Sequence, residues 1–250
     1  MRVGVIGTGL MASEVVKSIV DDGHEFFISK RSEARSSALA AAYENVHVAD
    51  NQAVLDQADV IILGLLPEQA KPVLPALRFA PHHKVVSLMG GVSCDNIGTW
   101  IGPATLEAIM IPFPYIAAGA SPALVYPKSP VLETLFEPKT RLYAMATEEE
   151  LTVFLTGQSV LMSSLQLLSD AANWMSENGG NPNLSEPFLK QLVGGALCAD
   201  GQGPLSDMIA QLSTPGGYNI TLRNHLWENG TGKALSHGLE TLFVRAEADE

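Results

Sequence analysis

Short apolar runs alternate with stretches of helical spacing through the first part of the chain. Val3-Gly4-Val5-Ile6 closes a run from Arg2 that reads as a buried strand. Met11, Val15, Val16 and Ile19 then recur close to helical spacing within Leu10 to Val20. Phe26 to Ser29 predicts a second strand, and Ser32 to Tyr43 an alanine-rich helix with Ser32 as its N-cap. Val46 to Val48 predicts a short third strand. Val60 to Leu66 is apolar almost without interruption, as expected of a central parallel strand covered on both faces. Val85 to Leu88 and Leu106 to Ile111 continue the alternation. Strands separated by helices of this length imply right-handed crossovers and an α/β, doubly wound sheet.

The pattern changes after Met145. Thr147-Glu148-Glu149-Glu150 reads as a helix start, with acids where the helix dipole favours them. Beyond it the spacing is helical and strand signals are nearly absent. The segments are Leu151 to Ser176 with a possible break near Gly157, Leu184 to Leu197, Gly203 to Leu212, Gly216 to Glu228 and Gly230 to Ala246. The expected organisation is an α/β domain over residues 1–146 and an all-helical domain over 147–250.

Composition narrows the function classes. A chain of 250 residues, 46% hydrophobic, can bury one large core or two small ones. Its net charge of -12 argues against non-specific binding to nucleic acid or an anionic membrane surface, since both would be repelled. Cys94 and Cys198 lie too far apart in sequence to suggest a disulfide framework, so they read as buried free thiols in a reducing compartment. His82-His83 reads as part of a solvated loop, and no metal-ligand spacing occurs. Val3 to Ile6 is too short for a signal peptide, and no apolar run predicts a membrane span. These features predict a soluble, cytoplasmic protein without a bound metal.

Gly7-Thr8-Gly9-Leu10-Met11-Ala12 matches the G-x-G-x-x-G/A form, and it follows a strand and opens a helix. Gly7 permits a tight turn, Gly9 lets a diphosphate approach the backbone, and Ala12 lets helix and strand pack closely. The helix start offers amides and a partial positive charge to the phosphates. The first domain therefore reads as a Rossmann-type dinucleotide-binding domain. The end of its second strand chooses the cofactor. NAD sites place an acid there for the ribose 2′-hydroxyl. This chain has Ser29-Lys30-Arg31-Ser32 instead, two cations flanked by hydroxyls, which suits a 2′-phosphate. NADP(H) is the expected cofactor.

These segments, with the C-terminal part, resemble the pyrroline-5-carboxylate reductase family. Gly7 to Ala12 is similar to its Gly-x-Gly-x-Met-Ala, and Ser29 to Ser32 to its basic loop. Asp50-Asn51 resembles its Asp/Asn pair, with Asn51 near the adenosine. Leu66-Pro67-Glu68-Gln69 resembles its Lys-Pro-Gln, with Leu66 in place of lysine. Val86 to Val92 resembles its Ser-x-x-Ala-Gly-Ile, and Ile111-Pro112-Phe113-Pro114 stands where the family has Met-Pro-Asn-Thr-Pro. Thr214-Pro215-Gly216-Gly217-Tyr218-Asn219 is similar to its Ser-Pro-Gly-Gly-x-Thr, with Asn219 for the threonine.

The resemblance implies an NADPH-dependent reductase of a small cyclic imine, a Rossmann domain, and a helical domain through which two copies dimerise. The cofactor set it implies is Gly7, Thr8, Gly9, Leu10, Met11, Ser29, Lys30, Arg31, Asn51, Leu65, Leu66, Pro67, Gly90 and Pro112. The substrate set is Pro215, Gly216, Gly217 and Asn219, with Asn219 and Tyr218 as catalytic candidates. A tyrosine at a helix entry more often serves packing, and a water is then the proton donor.

Two other readings stay open. Related dehydrogenases acting on C–OH or C–NH₂ groups usually carry a lysine on the first long helix of the second domain, and Leu151 to Ser176 contains none. A non-catalytic NADP(H)-binding regulatory protein would also account for the altered substrate motifs.

Overall fold

The computed structural model describes residues 1–119, 121–136, 139–199 and 203–248. They form two compact units, Met1–Leu155 joined by the last residues from Ala246, and Thr156–Arg245. The unit boundary falls inside the helix that follows the acidic run at Glu148.

The first unit opens with β1 (Arg2–Ile6), α1 (Leu10–Ile19), β2 (Glu25–Ser29), α2 (Glu33–Ala42), β3 (Val46–Ala49), α3 (Asn51–Gln57) and β4 (Val60–Leu63). It continues with α4 (Pro67–Val73), β5 (Lys84–Ser87), α5 (Cys94–Ile101), β6 (Thr105–Pro112), β7 (Ala123–Tyr126), α6 (Pro130–Phe136), β8 (Leu142–Ala144) and α7 (Glu148–Gly157). Among the described residues the strands make one sheet in the order β3-β2-β1-β4-β5-β6-β7-β8. β1 to β6 are mutually parallel, while β7 runs antiparallel to β6 and parallel to β8. This is the doubly wound, Rossmann-like sheet expected from the alternation, extended by two strands that the alternation did not signal.

Side chains alternate between two cores. Val60 and Ile62 join Val15, Val16 and Ile19 of α1 and Phe136 of α6 on one face. Ile61 and Leu63 join Val54 and Leu55 of α3 and Ile97 of α5 on the other. A strand covered on both faces must be apolar throughout, which is why β4 shows no polar alternation. The strand is shorter than expected. It ends at Leu63, after which the Gly64 amide donates to the Ile6 carbonyl at 2.8 Å and the chain leaves the sheet.

The second unit holds α8 (Val160–Glu177), α9 (Pro182–Cys198), α10 (Leu205–Gln211), α11 (Tyr218–Glu228) and most of α12 (Thr231–Ala248). The expected break near Gly157 lies between α7 and α8. α7 starts with a reciprocal cap: Thr147 Oγ1 accepts from the Glu150 amide, and the Glu150 carboxylate accepts from the Ala146 amide.

Two expectations are corrected. His83 is 3% exposed, because its ring lies against Phe79 and its Nδ1 accepts from the Ala80 amide. Cys94 is half-buried and Cys198 exposed, so the thiols are not a buried pair. Glu148–Glu177 is long and apolar enough, by length and composition alone, to cross a membrane, with a mean hydropathy of 1.4.

Candidate functional site

The parallel strands β1 to β6 all end on the same edge of the sheet, and the order reverses between β1 and β4. In open α/β sheets that edge, at the reversal, is where ligands bind. The whole predicted cofactor set gathers there: Gly7 to Met11 after β1, Ser29 to Arg31 at and after β2, Asn51 after β3, Leu65 to Pro67 after β4, Gly90 after β5, and Pro112 at the end of β6.

Gly7 has φ +91°, a left-handed conformation that only glycine adopts without strain. The turn is braced from β2. The Gly7 amide donates to Ser29 Oγ at 2.8 Å, and Thr8 Oγ1 donates to the Ser29 carbonyl at 2.8 Å. Thr8 and Ser29 are both fully buried. This corrects the expected role of Ser29. The Ser29 hydroxyl is committed to the turn and does not flank a 2′-phosphate, and Thr8 has only its backbone to offer a cofactor.

Gly64 was not anticipated as a site residue. A Cβ there would stand 2.5 Å from the Gly7 carbonyl oxygen and 2.6 Å from Ala12 Cβ. The end of β4 therefore passes directly beneath the turn, and Ala12 keeps α1 close, as its small side chain suggests. Gly9 differs. Its φ of -78° is open to any residue, and a Cβ would meet nothing nearer than the Gly64 carbonyl at 3.8 Å. Nothing inside the protein requires glycine at this position, so the space above it fits an outside group. α1 begins there with no side-chain cap and no acid in its first turn, leaving first-turn amides without intrahelical partners. A diphosphate fits this turn and helix start.

At the ends of β2 and β3 the charges are more mixed than the sequence suggested. Lys30 Nζ pairs with Asp50 Oδ1 at 2.6 Å, and this hydrogen bond holds the lysine pKa above its ordinary value. Arg31 is exposed and has no ion pair among the described residues. Asn51 is half-buried at the first position of α3.

Toward the other side of the reversal, Leu65 is buried beneath Gly7 and Leu66 is 61% exposed. Pro67 opens α4, Gly90 is exposed, and Pro112 is buried beside β7. None of these side chains titrates. Cys94, at the start of α5, is no substitute: burial first, then Glu148, push its thiol up to about 12, so it stays protonated at neutral pH. Nothing on this side of the reversal among Leu65, Leu66, Pro67, Gly90 and Pro112 can supply an acid, and their chemistry is placement.

The predicted substrate residues belong to the second unit, in the turn that opens α11. The Gly217 amide already donates to the Thr214 carbonyl at 2.9 Å, so it cannot also hold a carboxylate. α11 has no side-chain cap, which leaves its first-turn amides available. Pro215, Gly216 and Asn219 are exposed, and Tyr218 is 97% exposed.

Residues 2–91 match the family described as NADP oxidoreductase, coenzyme F420-dependent, in agreement with the cofactor class read from Lys30 and Arg31. The pyrroline-5-carboxylate reductase of Pseudomonas aeruginosa is 26% identical over 106 residues, and that match spans 40% of this chain and 39% of the relative. The crystal structure of a 1-pyrroline-5-carboxylate reductase from Streptococcus pyogenes superposes with a TM-score of 0.82 at 23% identity, covering 99% of this chain and 98% of that one. A Plasmodium falciparum pyrroline carboxylate reductase with NADP bound gives 0.84 at 15% identity, covering 100% and 98%. The chain is thus similar to pyrroline-5-carboxylate reductases in part of its sequence and in fold.

Proposed function

We propose that this protein is an NADPH-dependent reductase of a small cyclic imine, with 1-pyrroline-5-carboxylate, reduced to proline, as the first substrate to test. The observation that carries the reading is the space reserved above Gly9, at an uncapped helix start and next to Lys30 and Arg31. The reduced nicotinamide supplies a hydride to the carbon of a protonated C=N bond. The chain's own part is to bind and orient. The first turn of α1 holds the diphosphate, Lys30 and Arg31 hold the 2′-phosphate, and Asn51 lies toward the adenosine. Leu65, Leu66, Pro67, Gly90 and Pro112 form an unreactive wall that keeps water from the reacting carbon. Pro215, Gly216 and Asn219, with first-turn amides of α11, take the substrate carboxylate. Tyr218 or a water supplies the proton that makes the imine nitrogen cationic before the hydride arrives. A protonated imine is already electrophilic, so a wall of Leu65, Leu66, Pro67, Gly90 and Pro112 without a titrating side chain suits this chemistry.

The protein works as a soluble, cytoplasmic homodimer joined through its helical unit. Among the described residues of that unit only Ala172 and Ser185 are buried. Leu197, Ile209, Leu212 and Leu222 are more than half exposed. An apolar surface of this extent needs a cover, and a second copy provides it.

The test is to mix purified protein with NADPH and 1-pyrroline-5-carboxylate. Loss of the reduced-nicotinamide absorbance with formation of proline is the expected outcome. NADPH binding without turnover on any cyclic imine would overturn the catalytic reading, and light scattering that finds only monomer would overturn the dimer.

A further inference from the structure

Lys30 and Asp50 follow neighbouring strands, β2 and β3, on the ligand edge of the sheet, and their side chains meet at 2.6 Å. Asp50 is also the N-cap residue of α3, yet its carboxylate makes no hydrogen bond to that helix. An aspartate at an N-cap ordinarily accepts a first-turn amide. Here the carboxylate is turned to the lysine instead. Both side chains are open to a ligand, at 65% and 72% exposure. Arg31, the other cation of this corner, has no such partner among the described residues.

Resting on the NADP(H) reading above, we infer that Asp50 sets cofactor preference: it competes with the adenosine 2′-phosphate for Lys30, and accepts a hydrogen bond from the 2′-hydroxyl when no phosphate is there. A 2′-phosphate must draw Lys30 away from Asp50. The released carboxylate can turn back to the amides of α3, but its charge stays close to the phosphate dianion and opposes it. An unphosphorylated ribose brings no charge to repel, and its hydroxyl can donate to the carboxylate as it does to the acid of an NAD site. Asp50 therefore narrows the margin for NADP(H) over NAD(H) that Lys30 and Arg31 would otherwise impose.

The experiment titrates wild type and Asp50→Ser with NADPH and NADH at low and high salt. Serine remains a good N-cap, so α3 keeps its start. Asp50→Ser should bind NADPH about two- to tenfold more tightly, the range expected from freeing an exposed lysine from its carboxylate. NADH affinity should hold or fall, and added salt should shrink the gain. Should Asp50→Ser not fold, the near-isosteric Asp50→Asn takes its place with the same expected direction. Wild-type binding of NADPH with an unmoved NADPH-to-NADH ratio in the variant overturns the inference alone. Failure of the wild type to bind either cofactor overturns the NADP(H) reading and the inference with it.

Discussion

Two glycines of the cofactor turn can be separated by replacing each with alanine. At Gly64 the added methyl would lie 2.5 Å from the Gly7 carbonyl oxygen and 2.6 Å from Ala12 Cβ, both well inside ordinary contact. The first neighbour is backbone, and its turn is tied to Ser29 through the Gly7 amide, so it cannot yield cheaply. Overpacking of this kind costs about 1–3 kcal/mol, and a backbone neighbour places Gly64→Ala toward the upper end. At Gly9 the methyl would meet nothing within 3.8 Å, and the backbone conformation is ordinary. The entropy removed from the unfolded chain and the small penalty of alanine at an N-cap nearly offset, so Gly9→Ala should change stability by no more than about 0.5 kcal/mol. The same methyl projects into the space assigned to the diphosphate, and NADPH affinity should fall about ten- to hundredfold. Because the chain has two compact units, stability is best read by hydrogen exchange at the amides of β1 and β4, which belong to the first. Affinity is read by NADPH titration. If Gly9→Ala binds NADPH as wild type does, or loses as much stability as Gly64→Ala, the assignment of that space to a ligand is refuted.

Joint replacement of Lys30 and Arg31 by alanine should weaken NADPH at least about tenfold while NADH changes little, since each cation is assigned to the 2′-phosphate alone; equal losses for both cofactors would remove that assignment. Acid should destabilise the first unit through His83. Burial first, then the charge of His82, hold its pKa below the ordinary 6.5, while a hydrogen bond to the Leu55 backbone, then Asp56 and Asp59, act the other way. The unfolded state then binds the extra proton, so the contribution is complete above pH 6.5 and is lost as pH falls through the lower, folded-state value. A pH series of denaturant midpoints should fall below that point, at no more than about 1.4 kcal/mol per pH unit for this group, and His83→Asn should flatten the fall.

Much of the first unit was legible because its physics is local or periodic. A strand covered on both faces has to be apolar where it is buried, and β4 is so throughout, as are Val3 to Ile6 of β1 and Val85-Val86 of β5. A glycine turn followed by a helix start announces itself within six residues. What escaped was short or edge-bound. β8 has three residues, and Tyr143 is exposed, so neither length nor alternation marks it. β7 is antiparallel and follows the turn around Gly119, outside the strand-helix-strand rhythm that predicted the rest. His83 escaped because its burial comes from a ring contact with Phe79 and a bond to the Ala80 amide, and polarity alone predicts the opposite.

The site shows the same division in a sharper form. The sequence places Ser29 beside two cations, and by type its hydroxyl is a phosphate ligand. Only the parallel pairing of β1 with β2 brings it under the Gly7 amide, where it supports the turn from below. Gly64 reads as an interruption in an apolar run until the pairing of β1 with β4 puts it against Gly7. Asp50 reads only as half of an Asp/Asn pair until the pairing of β2 with β3 brings it to Lys30. In each case residue type identified the chemistry available, and strand order decided which neighbour received it. A Rossmann site is assembled from the ends of several strands, so the residues that touch the cofactor are legible in the motif, while those that hold or oppose them become visible only once adjacent strand ends are known. Asp50 is where this matters most, because a carboxylate one strand away can weaken the preference for a phosphorylated ribose that Lys30 and Arg31 announce.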